Sequence, residues 1–385
     1  MKKLCFVIFC GIMCIVSTLS CGIITKVSAD ENNLSYKCKS AILVDFDSGD
    51  VLFEQNADEK VQVASIVKLM TVLLTFEELD NGKLTLEEKL TTTENASGMG
   101  GSQVFIDPYE EYSIDDMLKS VIVASANDAS VALAERISGS EEAFVKRMNQ
   151  KAKEIGLENT VYVNASGLPE PGQYSTARDV AKLTKEVMKN KRYFEYSTIW
   201  MDKLIHPSGR ETEVVNTNKL IRYFKGCDAG KTGSTDEAGY CLTATAMRDN
   251  MRLIGVVLGA RNGTDRFNET SRLLTFGFSS FENKKIISTE TAICEVPVLR
   301  SKTKAIPLYS SENFSAVTKK GELAEFAIST EITSKIKAPL KAGDVVGTLT
   351  VTKNGVVVKT MNLVVGSDVE AISYGDSLKE IISKW

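Results

Sequence analysis

Ser65 and Lys68 lie on one run, Ala64-Ser65-Ile66-Val67-Lys68-Leu69-Met70, and the i, i+3 spacing puts a hydroxyl and an amine on the same face of a helix. Such a pair can make an activated nucleophile, the neutral amine taking the hydroxyl proton as the oxygen attacks a carbonyl. A free lysine is protonated at neutral pH, so burial or a second cation must depress its pKa. A helix start adds unpaired backbone N–H groups that point to where an anionic intermediate would form. The spacing alone is a weak signal, because Ser301 with Lys304 and Ser334 with Lys337 repeat it in stretches that read as β.

Other chemistries have less to work with. The one histidine, His206, sits beside Pro207 in a polar stretch that reads as loop, and no Gly-x-Ser-x-Gly elbow accompanies it. One imidazole and scattered thiols form no metal-binding cluster, so neither a metal nor another cofactor is expected. A net charge of -4 gives no basic field for phosphates, and nucleic acid is not an expected partner.

Two further motifs follow Ser65 in order. Ser125-Ala126-Asn127 comes after an apolar helical stretch, where a turn could aim a hydroxyl and a carboxamide into a cleft. Both residue types also suit caps and turns, and Ser311 with Asn313 repeats the spacing. Lys231-Thr232-Gly233 occurs once, after the glycine-bearing stretch 226–230. Its plainer reading is a solvated strand edge.

The elements that must position these residues are legible in outline. Lys2 and Lys3, an apolar run from Leu4 to about Leu19, and Val27-Ser28-Ala29 read as a secretory signal peptide over 1–29; an uncleaved anchor helix is the rival. Cys38, Cys227, Cys241 and Cys294 remain in the mature chain, spaced neither as a metal site nor as a redox pair, and read as small buried hydrophobes. Ala41 to Asp45 and Val51 to Glu54 predict two strands joined by a Ser48-Gly49 turn. A helix is predicted from about Ala64 until Asp80, Asn81 and Gly82 stop it, and a second from a capping pattern at Ser113 and Asp116 as far as Ser125. More helix is expected over about 140–155 and 176–189, then strands at 240–246 and 252–258 around an Asp249-Asn250 turn. This order predicts an α/β domain over 30–283 whose strands come from both ends of the sequence. From about Ile287 short β-branched runs take over, with an Asn354-Gly355 hairpin signal, predicting a small all-β domain over 284–370. The tail, 371–385, places Leu378, Ile381, Ile382 and Trp385 on one side and reads as an amphipathic helix, lying on a membrane surface or docked on its own domain.

With these motifs in this order, the chain resembles the low-molecular-mass penicillin-binding proteins, serine-type D-alanyl-D-alanine carboxypeptidases. The resemblance extends to Ser234-Thr235-Asp236-Glu237-Ala238-Gly239-Tyr240, to Gly167-Leu168-Pro169 and to the run from Tyr174 to Asp179. It implies a β-lactamase/transpeptidase-like catalytic domain, an antiparallel sheet flanked by helices, followed by a small all-β sandwich and a membrane-contacting tail. It also implies an exported protein acting at the cell wall on the D-Ala-D-Ala end of peptidoglycan stem peptides, and sensitive to β-lactam antibiotics.

Carried over residue by residue, the resemblance makes Ser65 the nucleophile, Lys68 its base and Ser125 a proton relay toward the leaving amine. Asn127 would bind the substrate backbone; Lys231 and Thr232 would bind its carboxylate, with Arg266 a second cation; Gly233 would let substrate lie close. The N–H groups of Ser65 and Ser234 would form the oxyanion hole. Ser234 and Gln173 stand where some members carry histidine, which bears on substrate preference and deacylation. A serine β-lactamase and a non-catalytic penicillin-binding sensor are the alternative functions. The segment Glu170-Pro171-Gly172-Gln173-Tyr174 lacks the asparagine that a class A β-lactamase pairs with its glutamate.

Overall fold

A computed structural model describes residues 35–322, 325–333, 335–375 and 382. The expected signal peptide, the repeat residue Ser334 and most of the tail lie outside the described residues. The first strands are β1 (Ser40–Asp45) and β2 (Val51–Gln55), an antiparallel pair whose turn is closed by Ser48 donating from both amide and hydroxyl to the Asp45 carboxylate. The chain then forms one turn of 3-10 helix, Ala64–Val67, and only at Lys68 becomes the α-helix α1 (Lys68–Asp80).

A small antiparallel pair, β3 (Lys89–Thr91) and β4 (Glu111–Ser113), brackets α2 (Glu94–Ser97). It delivers the chain to α3 (Ile114–Lys119), which Ser113 caps by accepting the Asp116 N–H at 3.0 Å, as the sequence pattern predicts. The helix does not run on regularly to Ser125. It widens into a π-helical turn, Ser120–Ala124, and stops with Ser125 left-handed at φ 63°. Asn127 then opens α4 (Asn127–Ser138), a helix the sequence reading did not contain.

Next come α5 (Glu141–Glu154) and α6 (Ala177–Met188), on the predicted stretches, and α7 (Arg192–Ser197). The segment read as loop is a hairpin, β5 (Met201–Ile205) with β6 (Glu211–Val215), and His206 is buried at its turn. After α8 (Leu220–Tyr223) come β7 (Cys227–Thr235), β8 (Gly239–Arg248) and β9 (Met251–Ala260). Asp249 and Asn250 join the last two with φ 48° and 58°, the two left-handed residues of a type I′ turn. A second unforeseen helix, α9 (Gly263–Ser280), starts at Asn262, whose side chain caps the Asp265 N–H.

The main sheet runs β2-β1-β9-β8-β7, all antiparallel, so strands from the two ends of the domain meet where β1 pairs with β9. Helices cover both faces. α9 packs on one, where Gly255 and Gly277 admit Leu274, Leu253 and Leu43; α6 lies on the other, its Thr184 hydroxyl 2.8 Å from that of Thr243. Double burial explains the apolar run along β9.

The remaining strands are β10 (Phe281–Ile287), β11 (Cys294–Pro297), β12 (Ala305–Ser310), β13 (Phe314–Lys319), β14 (Phe326–Ile332), β15 (Val345–Lys353) and β16 (Val356–Val365). They make a sheet β11-β12-β16-β15-β14 and a two-stranded sheet β10-β13. Ile287, Leu308, Leu349, Val351 and Leu363 form a core of their own, as expected of an all-β domain. The predicted Asn354-Gly355 turn is there, both residues left-handed. No helix among the described residues is long and apolar enough to cross a membrane. Cys227 and Cys241 are buried, Cys38 and Cys294 only partly, and all four are free thiols.

Candidate active site

The 3-10 turn bearing Ser65 is entered through Ala64, a non-glycine residue at φ 50°. Two glycines press on this turn from other segments. A Cβ on Gly167 would lie 2.2 Å from the Ala64 carbonyl oxygen, and one on Gly233 would lie 2.7 Å from that of Val63 and 3.0 Å from the Ser65 nitrogen. Both positions therefore demand glycine, and the Ser65 amide is wedged between α6's approach loop and β7.

Lys68 is fully buried. Its Nζ donates to Ser65 Oγ at 3.0 Å, to Asn127 Oδ1 at 2.5 Å and to the Ser166 carbonyl. Burial holds its pKa well below the ordinary lysine value, the charge of Lys231 pushes it the same way, and Asp128 opposes them. A buried amine with a depressed pKa, in contact with a half-buried serine hydroxyl, satisfies the condition that the sequence left open.

A second lysine faces it from β7. Lys231 Nζ donates to Ser125 Oγ at 2.6 Å and to the Thr232 carbonyl at 3.0 Å. Burial, with Arg266 adding to it, lowers the Lys231 pKa to about 7. The left-handed conformation of Ser125 is what turns its hydroxyl to this lysine, and the π turn before it supplies the change of direction. Thr232 Oγ1 donates to Thr217 Oγ1 at 2.8 Å. Arg266, on the first turns of α9, donates from Nη1 to the Gly233 carbonyl at 3.1 Å, and its buried Nε has no hydrogen-bond partner among the described residues. Ser234 is exposed on β7, a sheet edge.

The three sequence motifs thus come together in two hydrogen-bonded groups, Ser65–Lys68–Asn127 and Ser125–Lys231–Thr232. The repeats stay apart. Ser301 lies in the all-β domain with its hydroxyl accepting the Thr303 N–H, beside an exposed Lys304, and Asn313 accepts the Thr289 N–H. Sequence reading missed the Ser166 carbonyl, Thr217, the Gly100–Ser102 segment that holds Asn127, and Asp128 next to it. Gln173 is buried outside the cleft, where its amide oxygen accepts from Val163 and Asn164 and its nitrogen donates to Leu168. It braces the loop that presents Ser166 to Lys68.

His206 has no access to this chemistry. Its Nδ1 is 2.8 Å from the Tyr112 hydroxyl and its Nε2 is 2.8 Å from Thr212 Oγ1. Asp107 and Glu110 lie close enough to complete a three-residue ligand set with it. Arg210, however, bonds both Asp107 and His206, and Tyr112 donates to Glu110, so the group forms a clasp between the β5–β6 turn and the segment before β4.

The family described as D-alanyl-D-alanine carboxypeptidase matches residues 25–262, and the C-terminal domain of penicillin-binding protein 5 matches residues 281–371. The D-alanyl-D-alanine carboxypeptidase DacF of Bacillus subtilis is 40% identical over 386 residues, covering 100% of this chain and 99% of its own. Among solved structures, penicillin-binding protein 5 from Haemophilus influenzae is 31% identical with a TM-score of 0.71 over 88% of this chain and 98% of that one. Penicillin-binding protein D2 from Listeria monocytogenes, in its ampicillin-bound form, is 33% identical with a TM-score of 0.58 over 64% of this chain and 99% of that one.

Proposed function

The chain belongs to the D-alanyl-D-alanine carboxypeptidase family, and on that footing we propose that Ser65 is its nucleophile and Lys68 the general base, acting on the D-Ala-D-Ala end of peptidoglycan stem pentapeptides. The activity is that of a serine-type D-Ala-D-Ala carboxypeptidase, a hydrolase. The observation that carries the residue assignment is the 3.0 Å contact from a fully buried Lys68 Nζ to Ser65 Oγ.

Ser65 Oγ attacks the carbonyl carbon of the penultimate D-alanine as Lys68 Nζ takes its proton. The oxyanion forms against the Ser65 and Ser234 amides at the start of the 3-10 turn and the edge of β7. The C–N bond breaks as the leaving amine takes, through Ser125, the proton that Lys68 accepted from Ser65, and D-alanine departs from the Ser65 ester with Lys68 neutral again. Lys68 then takes a proton from water as its oxygen attacks the ester carbonyl, the C–Oγ bond breaks, and the proton returns from Lys68 to Ser65 Oγ. Asn127 aligns the peptide, and Gly233 leaves room for it along β7. Lys231, Thr232 and Arg266 bind the terminal carboxylate, and the Arg266 Nη1 bond to the Gly233 carbonyl, which holds that cation against β7, supports its part. A lysine whose pKa is about 7 gains a full charge once a carboxylate lies beside it.

β-Lactams carry a carboxylate and a strained amide in the same relation, and the ampicillin-bound relative supports acylation of Ser65 by them. The fold and relatives favour neither alternative, serine β-lactamase or sensor module. The domain limits 1–29, 30–283, 284–370 and 371–385, export to the cell wall or the outer face of the membrane, and membrane contact by the tail belong to the same proposal.

Incubating the full chain with a D-Ala-D-Ala-terminated peptide, following D-alanine release and mapping a penicillin adduct by mass tests it. Release and an adduct on Ser65 are expected. No release, or an adduct elsewhere, refutes the nucleophile, and full acylation by Lys68→Ala refutes the base.

A further inference from the structure

Asp128 follows Asn127 on α4 and is fully buried. All its partners are donors. Val104 N–H lies 3.1 and 3.2 Å from its two oxygens, Ile106 N–H 3.3 Å from Oδ2 and Ala129 N–H 2.8 Å from Oδ1, and the Phe105 amide also bonds it. Successive amides converge on one carboxylate because Phe105, between them, is left-handed at φ 60°, an unfavourable conformation for an aromatic residue. That strain stays in place because the carboxylate holds the loop in this shape, and the Phe105 ring stays exposed.

The same loop builds one wall of the active site. The Asn127 side-chain nitrogen donates to the Gly100 carbonyl at 2.6 Å and its backbone N–H to the Ser102 carbonyl at 2.7 Å. A Cβ on Gly101 would sit 2.8 Å from the Asn127 Nδ2. Asn127 in turn accepts from Lys68.

We propose that Asp128 is a positioning residue for the carboxypeptidase reaction, its carboxylate both anchoring the Gly100–Ile106 loop that orients Asn127 and serving as the buried counter-charge to Lys68. This rests on Lys68 being the base. The charged groups around it are Lys68 on α1, Lys231 on β7 and Arg266 on α9 facing Lys231. On its far side stand Asp107, Glu110, His206 and Arg210, the last two hydrogen-bonded to each other. Of the acids, Asp128 is the one that acts on Lys68. Burial and Lys231 favour the neutral amine, and Asp128 opposes them. Burial also raises the Asp128 pKa, while the four N–H groups that converge on its carboxylate favour the charged form.

The test is the pH dependence of penicillin acylation by the full chain, in the wild type, in Asp128→Asn and in Phe105→Pro. Asp128→Asn removes the charge, so the acid limb of the profile should move to lower pH, by about one unit for a unit charge lost at close range in a partly polar interior. The plateau should fall by about tenfold as Asn127 loses its support. Phe105→Pro cannot take φ 60° and removes an amide, which releases the loop while leaving the charge; it should lower the plateau and leave the limb in place. Phe105 is exposed, so this variant stays informative where Asp128→Asn does not fold. An unmoved limb in folded Asp128→Asn, or a wild-type plateau in Phe105→Pro, overturns the proposal. Failure of Lys68 as the base shows separately, as full acylation by Lys68→Ala.

Discussion

Lys231 is fully buried, and burial with help from Arg266 draws its pKa from 10.5 to about 7. Across that interval the unfolded chain binds a proton that the folded chain does not, so stability rises with pH from about 7 upward and is lowest where Lys231 is charged in both states. Lys231→Met should therefore be more stable at neutral pH and show a flatter pH dependence of its urea midpoint, while acylation by penicillin falls by about a hundredfold or more. Gly167→Ala should lose on both counts. Its methyl meets the Ala64 carbonyl at 2.2 Å at a left-handed position, so both the melting temperature and the acylation rate should drop. That Ser65, Lys68, Ser125, Asn127 and Lys231 belong together was legible because each is a recognisable side chain at a fixed spacing, and the fold brings them within hydrogen-bond reach. The Ser166 carbonyl had no signature, since every residue carries one, and Thr217 was one threonine among many until the fold set it beside Thr232.

The elements missed were hidden for different reasons. α4 is buried at every position from Asn127 to Ala134, so it has no polar face and no 3.6-residue alternation to read. α9 did carry a start signal, Asn262 with Asp265 on the following turn, and its two glycines, Gly263 at the first position and Gly277 in the core, obscured it. One of these, Gly277, sets how closely α9 approaches the sheet. An alanine there would place Cβ 2.4 Å from a Leu253 methyl and 2.8 Å from one of Leu43, both in a packed core. Gly277→Ala should lower stability by roughly 1–3 kcal/mol, read from the urea midpoint at unchanged slope. Because Arg266 rides on the same helix, the variant should also weaken carboxylate binding, visible as a raised KM for the peptide.

On the scale of the whole molecule, the described residues of the all-β part bury a hydrophobic cluster separate from that of the α/β part. Each has its own sheets, and β10 crosses at once to pair with β13. Denaturant unfolding should resolve two transitions, and acylation by penicillin should raise only that of the catalytic part. A single transition that shifts as one would show that the two cores unfold together. The strand pattern exposed this division, since a run of helices gives way to short β segments after about residue 287.

The pairing of β1 with β9 also has a consequence in time. Ser40 meets Leu258 and Asp45 meets Leu253, so the central sheet has no complete middle until the polypeptide has been delivered as far as β9. The loop that must close is long, and closing it precedes the contacts that reward it. A nascent chain that has exposed Ser65 and Lys68 but not yet β7 to β9 lacks Lys231, the Gly233 contact and the strand on which β1 rests. Ser65 and Lys68 therefore reach their final surroundings only once the whole α/β domain is present, and a chain stopped short of β9 should fail to react with penicillin.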